Sequence, residues 1–296
     1  MQPVIRKLGT IDIGLVETTP VVFRNRVYRF EYVRPNYPRN EIGSEPGDSY
    51  FRFVDHETGE FSAPFARGYH LGNVMADGDR LLVTGTNIWD GEIVDIFAST
   101  DMVNWETWNA VKQPGWGLFN TSMCKAEDRY VLMFEVGKPE DVAGKRFTAR
   151  FTTSTDARNW ELTAPECTYS KDRYTAPHAL RFHDGWFYNF FLENVGYGWE
   201  QYVVRSRDLV QWHLSPLNPV LKADAEDRII HNQRLTADDR HRVANAENNN
   251  NSDIDFCEFR GKLIINYSWG NQHGIEHLAE AVFDGTEAEF LTGWFQ

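Results

Sequence analysis

Acidic side chains recur at the ends of short apolar runs in this sequence. Glu31, Glu135 and Glu193 each close such a run, and Asp90 lies close to the same place in a fourth segment. Carboxylates that converge on one cleft can cleave a glycosidic bond, because one protonates the leaving oxygen while another, ionised, activates water or attacks the anomeric carbon. Burial and mutual repulsion would separate their protonation states. These residues therefore indicate carbohydrate chemistry.

Other polar and aromatic residues lie near these acids or in the loops around them. Glu17 and Asp253 add carboxylates just before apolar segments. Aromatic rings such as Trp89, Tyr197 and Trp199 could form platforms for the faces of sugars. The residues that we expect to bind substrate are Glu31, Arg34, Asn73, Asp90, Asn120, His178, Trp269 and Asn271.

A repeat of about fifty residues organises the chain. The motif Ser-x-Asp-x-x-x-Trp occurs three times, with its aspartates at Asp101, Asp156 and Asp208. Each copy follows two short β-branched and aromatic runs around a turn, which is typical of a hairpin. Two degenerate copies lie nearer the ends of the chain. A unit of four strands cannot bury both of its faces alone. The repeat therefore predicts an all-β, five-bladed β-propeller, with four-stranded antiparallel blades around a central channel.

The repeat predicts one propeller domain over residues 1–296. Its blades are expected at about 17–66, 67–117, 118–168, 169–222 and 250–296, with an insertion at about 215–251. The innermost strand of a propeller blade begins at the face where the second strand ends. The acids at both places should therefore meet at one mouth of the channel, while the motif aspartates and tryptophans belong to the scaffold.

Composition excludes several other classes of function. Thirty basic against forty-three acidic residues give a formal charge of −13, which repels nucleic acid and anionic membranes. The three cysteines lack the spacing of a disulfide framework or a zinc site. No signal peptide or long apolar stretch is visible, so we expect a cytoplasmic protein, a monomer or small homo-oligomer whose partner is an oligosaccharide or glycoside. No cofactor is expected to be required, although a structural Ca²⁺ in the channel, held by Asp253 or Asp255, is a candidate.

The chain resembles the five-bladed propeller glycoside hydrolases, the group that contains glycoside hydrolase families 43, 32, 62 and 117. The blade pattern carries this resemblance over nearly the whole chain. The segment YTAPHALRFHDGWFYNFF is similar to the start of the fourth blade in family 43, where Glu-Gly-Pro-His precedes a Tyr-rich hairpin. The resemblance implies an O-glycosyl hydrolase with three acidic positions that serve as base, pKa modulator and acid. Those positions match Thr19, Asn120 and Thr175, and none of these transfers protons at neutral pH.

Two interpretations of this departure remain. In the first, catalysis has moved to other carboxylates: Glu193, at the end of the apolar WFYNFFL run, is the general acid, and Glu17 is the base or nucleophile. Asp253 and Glu135 would then orient substrate or tune the acid, and Arg34 would pair with Glu31 or with a substrate carboxylate. In the second, the chain binds sugar without cleaving it.

Two further alternatives stay open. A glycoside phosphorylase would need a basic cluster at the mouth for phosphate, for which the sequence offers only scattered Arg34, Arg67 and His178. A protein-interaction platform would show a wide apolar or charged top surface rather than a cleft. The sugar, its linkage and the choice between retention and inversion are also left open by the sequence.

Overall fold

The computed structural model describes residues 2–35 and 48–296. Strands dominate this part of the chain, and its helices are short. The strands are β1 (Arg6–Ile13), β2 (Thr18–Phe23), β3 (Arg26–Val33), β4 (Tyr50–Asp55), β5 (His70–Asp77), β6 (Arg80–Thr86), β7 (Ile93–Ser99), β8 (Glu106–Lys112), β9 (Gly117–Ala126), β10 (Arg129–Lys138), β11 (Thr148–Ser154), β12 (Glu161–Leu162), β13 (Thr168–Tyr169), β14 (His178–His183), β15 (Trp186–Asn194), β16 (Trp199–Ser206), β17 (His213–Leu214), β18 (Asn250–Phe259), β19 (Lys262–Gly270) and β20 (Glu276–Phe283). The helices are α1 (Glu140–Ala143), α2 (Ala237–Asn245) and α3 (Glu287–Gly293), with a 3-10 helix at Ala225–Arg228.

The strands form five antiparallel blades. Blade one is β2–β3–β4, blade two is β5–β6–β7–β8, and blade three is β9–β10–β11 with β12 and β13 both paired to β11. Blade four is β14–β15–β16 with β17 on its outer edge. The sequence pattern predicts four strands in each blade; in blade one, bridges from Phe61 and Phe65 to β4 take the place of a regular fourth strand.

The five inner strands close a ring. β2 contacts β5, β5 contacts β9, β9 contacts β14, β14 contacts β18, and β18 contacts β2. Apolar clusters fill the spaces between neighbouring blades, for example Phe30 and Phe51 with Val74 between blades one and two. This arrangement confirms the five-bladed propeller expected from the repeat.

Blade five takes its outer strand from the beginning of the chain. Its order is β18–β19–β20–β1, with β1 antiparallel to β20. The sequence pattern instead predicts blade five within residues 250–296. After β20 the chain forms α3. Pairing the first strand with the last blade covers an open edge and ties the two ends of the ring together.

The insertion between blades four and five packs on β1. The Thr10 amide donates to the Ile229 carbonyl at 2.7 Å, and the His231 amide donates to the Thr10 carbonyl at 2.9 Å. Beside them, the buried Lys7 ammonium lies 2.7 Å from the Asp227 carboxylate, which also accepts from the Tyr267 hydroxyl at 2.8 Å. The insertion therefore clamps the joining strand in place.

The Ser-x-Asp-x-x-x-Trp motifs form turns at blade edges, as expected of scaffold. Asp101 accepts from the amides of Val103 and Asn104, both at 2.8 Å, and Asp156 and Asp208 accept from the equivalent amides of their own turns. In the described ranges, no helix combines the length and hydropathy that crossing a bilayer requires.

Thr10→Val should weaken the closure of the ring. The buried Thr10 hydroxyl accepts from the Trp269 indole N–H at 2.9 Å and donates to the Asp227 carbonyl at 2.6 Å. Valine keeps the shape but leaves both buried groups unpaired, so the free energy of unfolding should fall by about 1 to 3 kcal/mol. Urea unfolding measures this. Thr107→Val, an exposed position on β8, is the control. Equal midpoints for the two variants would contradict the role of Thr10.

Candidate active site

A pocket of about 220 Å³ opens at the mouth of the channel where the inner strands begin. Its lining combines carboxylates with aromatic rings. The lining carboxylates are Glu17, Glu135, Asp253 and Glu276. The lining aromatic residues are Trp89, Phe119, Phe147 and Tyr174. A smaller pocket continues down the channel from Glu17, Asn120 and Asp253, and reaches Asn73, His178 and Asp255.

The backbone is kinked near the starts of three inner strands, close to this mouth. Glu17, Leu71 and Asp253 have φ values of 55°, 57° and 54°, in the left-handed region that non-glycine residues rarely adopt. In β5 and β18 the kinks coincide with breaks in strand register. A bulge redirects a side chain within a strand. The kinks at Glu17 and Asp253 therefore account for two carboxylates that face the pocket rather than the blade interfaces.

Glu17 is held in a desolvated, acidic environment. Burial raises the pKa of Glu17 well above its usual value, the nearby Arg34 opposes this, and the charges of Asp253, Glu276 and Glu135 raise the pKa further. Within the described residues, its Oε2 atom has no hydrogen-bond partner although it is buried. A protonated carboxyl with an unoccupied oxygen facing a pocket is suited to donate a proton to a bound ligand.

Asp253 shares this environment. Burial, with the added charge of Glu276, raises the pKa of Asp253 to about 7. The Ser252 hydroxyl donates to its Oδ2 atom at 2.6 Å and partly opposes the shift, as does Arg34. The charge of Asp253 raises the pKa of Glu17, so the titrations of the two groups are linked. Near neutral pH the pair can hold one proton between two carboxyl groups.

Glu135 anchors a buried chain of hydrogen bonds. Its Oε2 atom accepts from the Asn120 amide at 3.1 Å, and its Oε1 atom lies 2.8 Å from the His178 Nδ1 atom. The other ring nitrogen of His178 lies 3.0 Å from the Thr175 hydroxyl. Burial raises the pKa of Glu135 well above its usual value and lowers the pKa of His178 to about 3. The chain fixes the Glu135 carboxyl at the pocket wall.

The positions that the resemblance assigns to acids hold polar groups with structural partners. Thr19 accepts from the Asn73 amide at 2.9 Å. Asn120 and Thr175 are the two ends of the Glu135 chain described above. Asn120 thus stands where an aspartate is expected and holds a carboxyl that comes from the neighbouring strand.

Two acids that the sequence places among the substrate-binding residues do not line this pocket. Glu31 is fully buried in blade one, with its carboxylate 2.5 Å from the Arg29 guanidinium and 2.6 Å from that of Arg52. Asp90 lies at the rim of blade two, 2.8 Å from the Lys138 ammonium. Arg34 lines the pocket, and its charge acts on Glu17 and Asp253.

Three further expected site residues also lie outside the pocket lining. Glu193 was expected to be buried at the end of its apolar strand. Instead its side chain is 21% exposed, and its carboxylate accepts a hydrogen bond from the Arg173 Nε atom at 2.9 Å. Trp269 is fully buried under blade five, where its indole N–H binds Thr10. Asn271 organises the turn before β20 by accepting from the amides of residues 273 and 275.

The carboxylate of Asp255 accepts hydrogen bonds from other side chains of the protein. Its carboxylate accepts from the Arg181 guanidinium and, at 2.9 Å, from the Asn73 amide. In the described part of the chain, no group of three or more His, Cys, Asp or Glu side chains could hold a metal ion. A guanidinium therefore already neutralises Asp255, one of the two residues considered for Ca²⁺ from the sequence.

Glu276 and Tyr174 belong to the site but were missed in the sequence. Glu276 is the first residue of β20, the third strand of blade five. Third strands begin at the face where second strands end. In the sequence, only the starts of inner strands and the ends of second strands were considered; Glu276 would have been found if the starts of third strands had also been considered. Tyr174 precedes the inner strand of blade four, where burial and the surrounding carboxylates raise the pKa of its hydroxyl.

Comparison with solved structures identifies the fold. No protein-family model matches the chain, and no curated protein matches it. Among solved structures, an α-L-arabinofuranosidase of Podospora anserina in complex with cellotriose superposes with a TM-score of 0.63 at 7% identity, over 95% of each chain. The catalytic domain of the family 62 α-L-arabinofuranosidase of Coprinopsis cinerea gives 0.62 at 8% identity, over 96% of this chain and 98% of that one. A family 43 β-xylosidase/α-arabinofuranosidase from a compost metagenome, in complex with xylotriose and described as a calcium-free form, gives 0.54 at 12% identity over 94% of each. The chain has the fold of the five-bladed propeller glycoside hydrolases.

Asp253→Asn should change how stability depends on pH. An acid with a higher pKa in the folded than in the unfolded state holds more protons when folded, so stability falls as pH rises from about 4 to the folded value of about 7. Asparagine removes this loss. The variant should gain on the order of 1 to 2 kcal/mol over the wild type at pH 8, and less at pH 5, in urea unfolding. Asp128→Asn, in an exposed turn, is the control. A gain that is equal at both pH values would contradict the environment described for Asp253.

Proposed function

We propose that this protein is a glycoside hydrolase whose acid–base pair is Glu17 and Asp253. The observation that carries the proposal is the desolvated carboxyl pair at the mouth of the channel, in a pocket that aromatic rings also line. Glycosidic cleavage needs one protonated and one ionised carboxyl beside the same bond. The shared environment of Glu17 and Asp253 supports one protonated and one ionised group, because ionising both carboxyls at once costs more free energy than ionising one.

In this mechanism, Glu17 donates its proton to the leaving glycosidic oxygen. Desolvation and the charges of neighbouring acids raise the pKa of its carboxyl well above the usual value, and its Oε2 atom has no hydrogen-bond partner within the described residues. Asp253, ionised, activates water or attacks the anomeric carbon. Arg34 favours the ionised form of the pair. If Asp253 attacks the anomeric carbon, the water that cleaves the intermediate returns a proton to Glu17; if Asp253 activates water, it takes the proton of that water, and exchange with solvent restores both groups.

The remaining pocket residues would position the sugar. Glu135, fixed by Asn120 and His178, faces the pocket as a hydrogen-bonding group for sugar hydroxyls. Trp89 and Tyr174 would pack on the apolar face of the ring, since their flat surfaces cover C–H groups. The known structures with this fold include complexes with cellotriose and xylotriose, which supports a carbohydrate ligand here.

A carbohydrate-binding protein without hydrolysis is the second candidate. It is favoured by the absence of carboxylates at Thr19, Asn120 and Thr175, the positions where the resemblance expects them. Such a protein would bind sugars in the same pocket, and Glu17 and Asp253 would accept hydrogen bonds from hydroxyl groups without proton transfer.

Glu17→Gln and Asp253→Asn should each lower kcat/KM by at least about a hundredfold, because each removes one half of the acid–base pair. The assay follows release of aryl alcohol from aryl furanosides and pyranosides of arabinose, xylose, galactose and fructose types. Glu193→Gln is the matched control, since its carboxylate pairs with Arg173 outside the pocket lining. A large loss in Glu193→Gln with activity retained in Glu17→Gln would move the acid role back to Glu193. No turnover by the wild type, with sugars still raising its Tm, would favour the binding protein.

The pH profile of kcat/KM should rise toward about pH 7 and fall at higher pH. Activity requires Asp253 ionised, so the rate increases as pH rises toward its pKa of about 7. It falls again when the pair loses its second proton. Glu17→Gln should abolish the alkaline limb in the residual activity. A wild-type profile that is flat between pH 5 and pH 9 would refute the assignment of this pair.

A further inference from the structure

Two histidines from distant segments approach the two oxygens of one buried carboxylate at the seam between blades one and five. The His56 Nε2 atom, in the turn after β4, lies 2.9 Å from the Glu280 Oε2 atom on β20. The His231 Nε2 atom, in the insertion, lies 3.7 Å from the Glu280 Oε1 atom. The Glu280 side chain is 7% exposed, whereas those of His56 and His231 are 37% and 44% exposed. Three segments that are remote in sequence therefore meet at one carboxylate.

This cluster lies where the ring closes. Glu280 is opposite Gly9 in the β1–β20 pairing, so its side chain belongs to the seam that joins the beginning of the chain to blade five. The insertion also reaches blade one directly, because the Arg234 Nη1 atom donates to the Thr58 carbonyl at 3.0 Å, in the turn that contains His56. Blade one, blade five and the insertion are thus held together around these side chains.

Charged groups surround His56 on each of the elements that meet there. They are Arg29 on β3, Asp55 on β4, Glu280 on β20, and His231 and Arg234 in the insertion. The hydrogen bond from Glu280 raises the pKa of His56, burial opposes this, and the Glu280 charge raises the pKa further. The charge of Arg29 lowers it and that of Asp55 raises it, so the net direction is upward. The contact with Glu280 is the largest of these influences.

We propose that His56, His231 and Glu280 form a pH-dependent latch, which holds blade one and the insertion to blade five more firmly in mildly acidic than in alkaline solution. A protonated imidazole makes a charge-assisted hydrogen bond with a carboxylate, which is stronger than the bond that a neutral imidazole makes. The stability that His56 gains from a raised pKa is fully present below the unfolded value of about 6.5 and is lost as pH rises through the folded value. The latch acts on closure of the ring and does not depend on hydrolysis.

NMR titration of the imidazole rings from pH 5 to pH 9 tests the contact directly. The His56 resonance, assigned by its loss in His56→Gln, should titrate above the usual value of about 6.5 in the wild type. Glu280→Gln keeps an acceptor oxygen and removes the charge. His56 should then titrate at or below the usual value, because burial and the Arg29 charge remain. A His56 titration that Glu280→Gln leaves unchanged would overturn the latch.

Urea unfolding of the wild type and His56→Gln at pH 6 and pH 9 measures the effect on stability. The difference in midpoint between the two proteins should be largest at pH 6 and should fall to half or less at pH 9. The contribution of Asp253 is common to both proteins and cancels in this difference. His231→Gln should show a smaller difference of the same sign, because its nitrogen is farther from Glu280 and its side chain is more exposed.

His241→Gln is the matched control, since His241 is an exposed histidine of α2. Its midpoint should differ from that of the wild type by the same amount at both pH values. A His56→Gln difference that is equal at pH 6 and pH 9, or larger at pH 9, would refute the latch. Neither measurement uses a sugar, so the result stands whether or not the protein proves to be a hydrolase.

Discussion

The pairing of β1 with β20 is the interaction on which the site depends. It ties the beginning of the chain to the last blade, and the insertion secures it through Lys7, Asp227 and Thr10. With the ring closed, five inner strands start around one axis, and the side chains at their first residues must share a small volume. A propeller left open at this seam would expose the same residues to water and would lose the electrostatic environment that they create for each other.

Desolvation at the channel mouth then decides the protonation of the acids. Glu135 is fully buried, and Glu17 and Asp253 are half-buried residues that line the same pocket. Desolvation favours the neutral forms of all three, the charges of neighbouring acids add to this at Glu17 and Asp253, and the Arg34 charge offsets part of it there. Desolvated carboxyls lower stability at neutral pH while they provide proton donors and acceptors at a binding site.

Carboxyl groups reach the channel mouth from positions other than those that the resemblance assigns to acids. Asn120 occupies a position where the resemblance expects an acid, yet it holds Glu135, a carboxyl from the next strand. Glu17 lies two residues before Thr19, and a backbone kink brings it to the mouth. Groups from adjacent strands and bulges can therefore reach the same space, because the inner and second strands end at one face.

The sequence by itself determined the architecture, since a fifty-residue repeat with hairpin turns has few ways to bury its faces. It also identified Glu17, Glu135 and Asp253 as acids near the mouth, because their places in the repeat specify that face. It did not determine which acids lose their charge. Glu31 and Glu193 occupy the same pattern position as Glu135, but arginines at non-local positions pair with them.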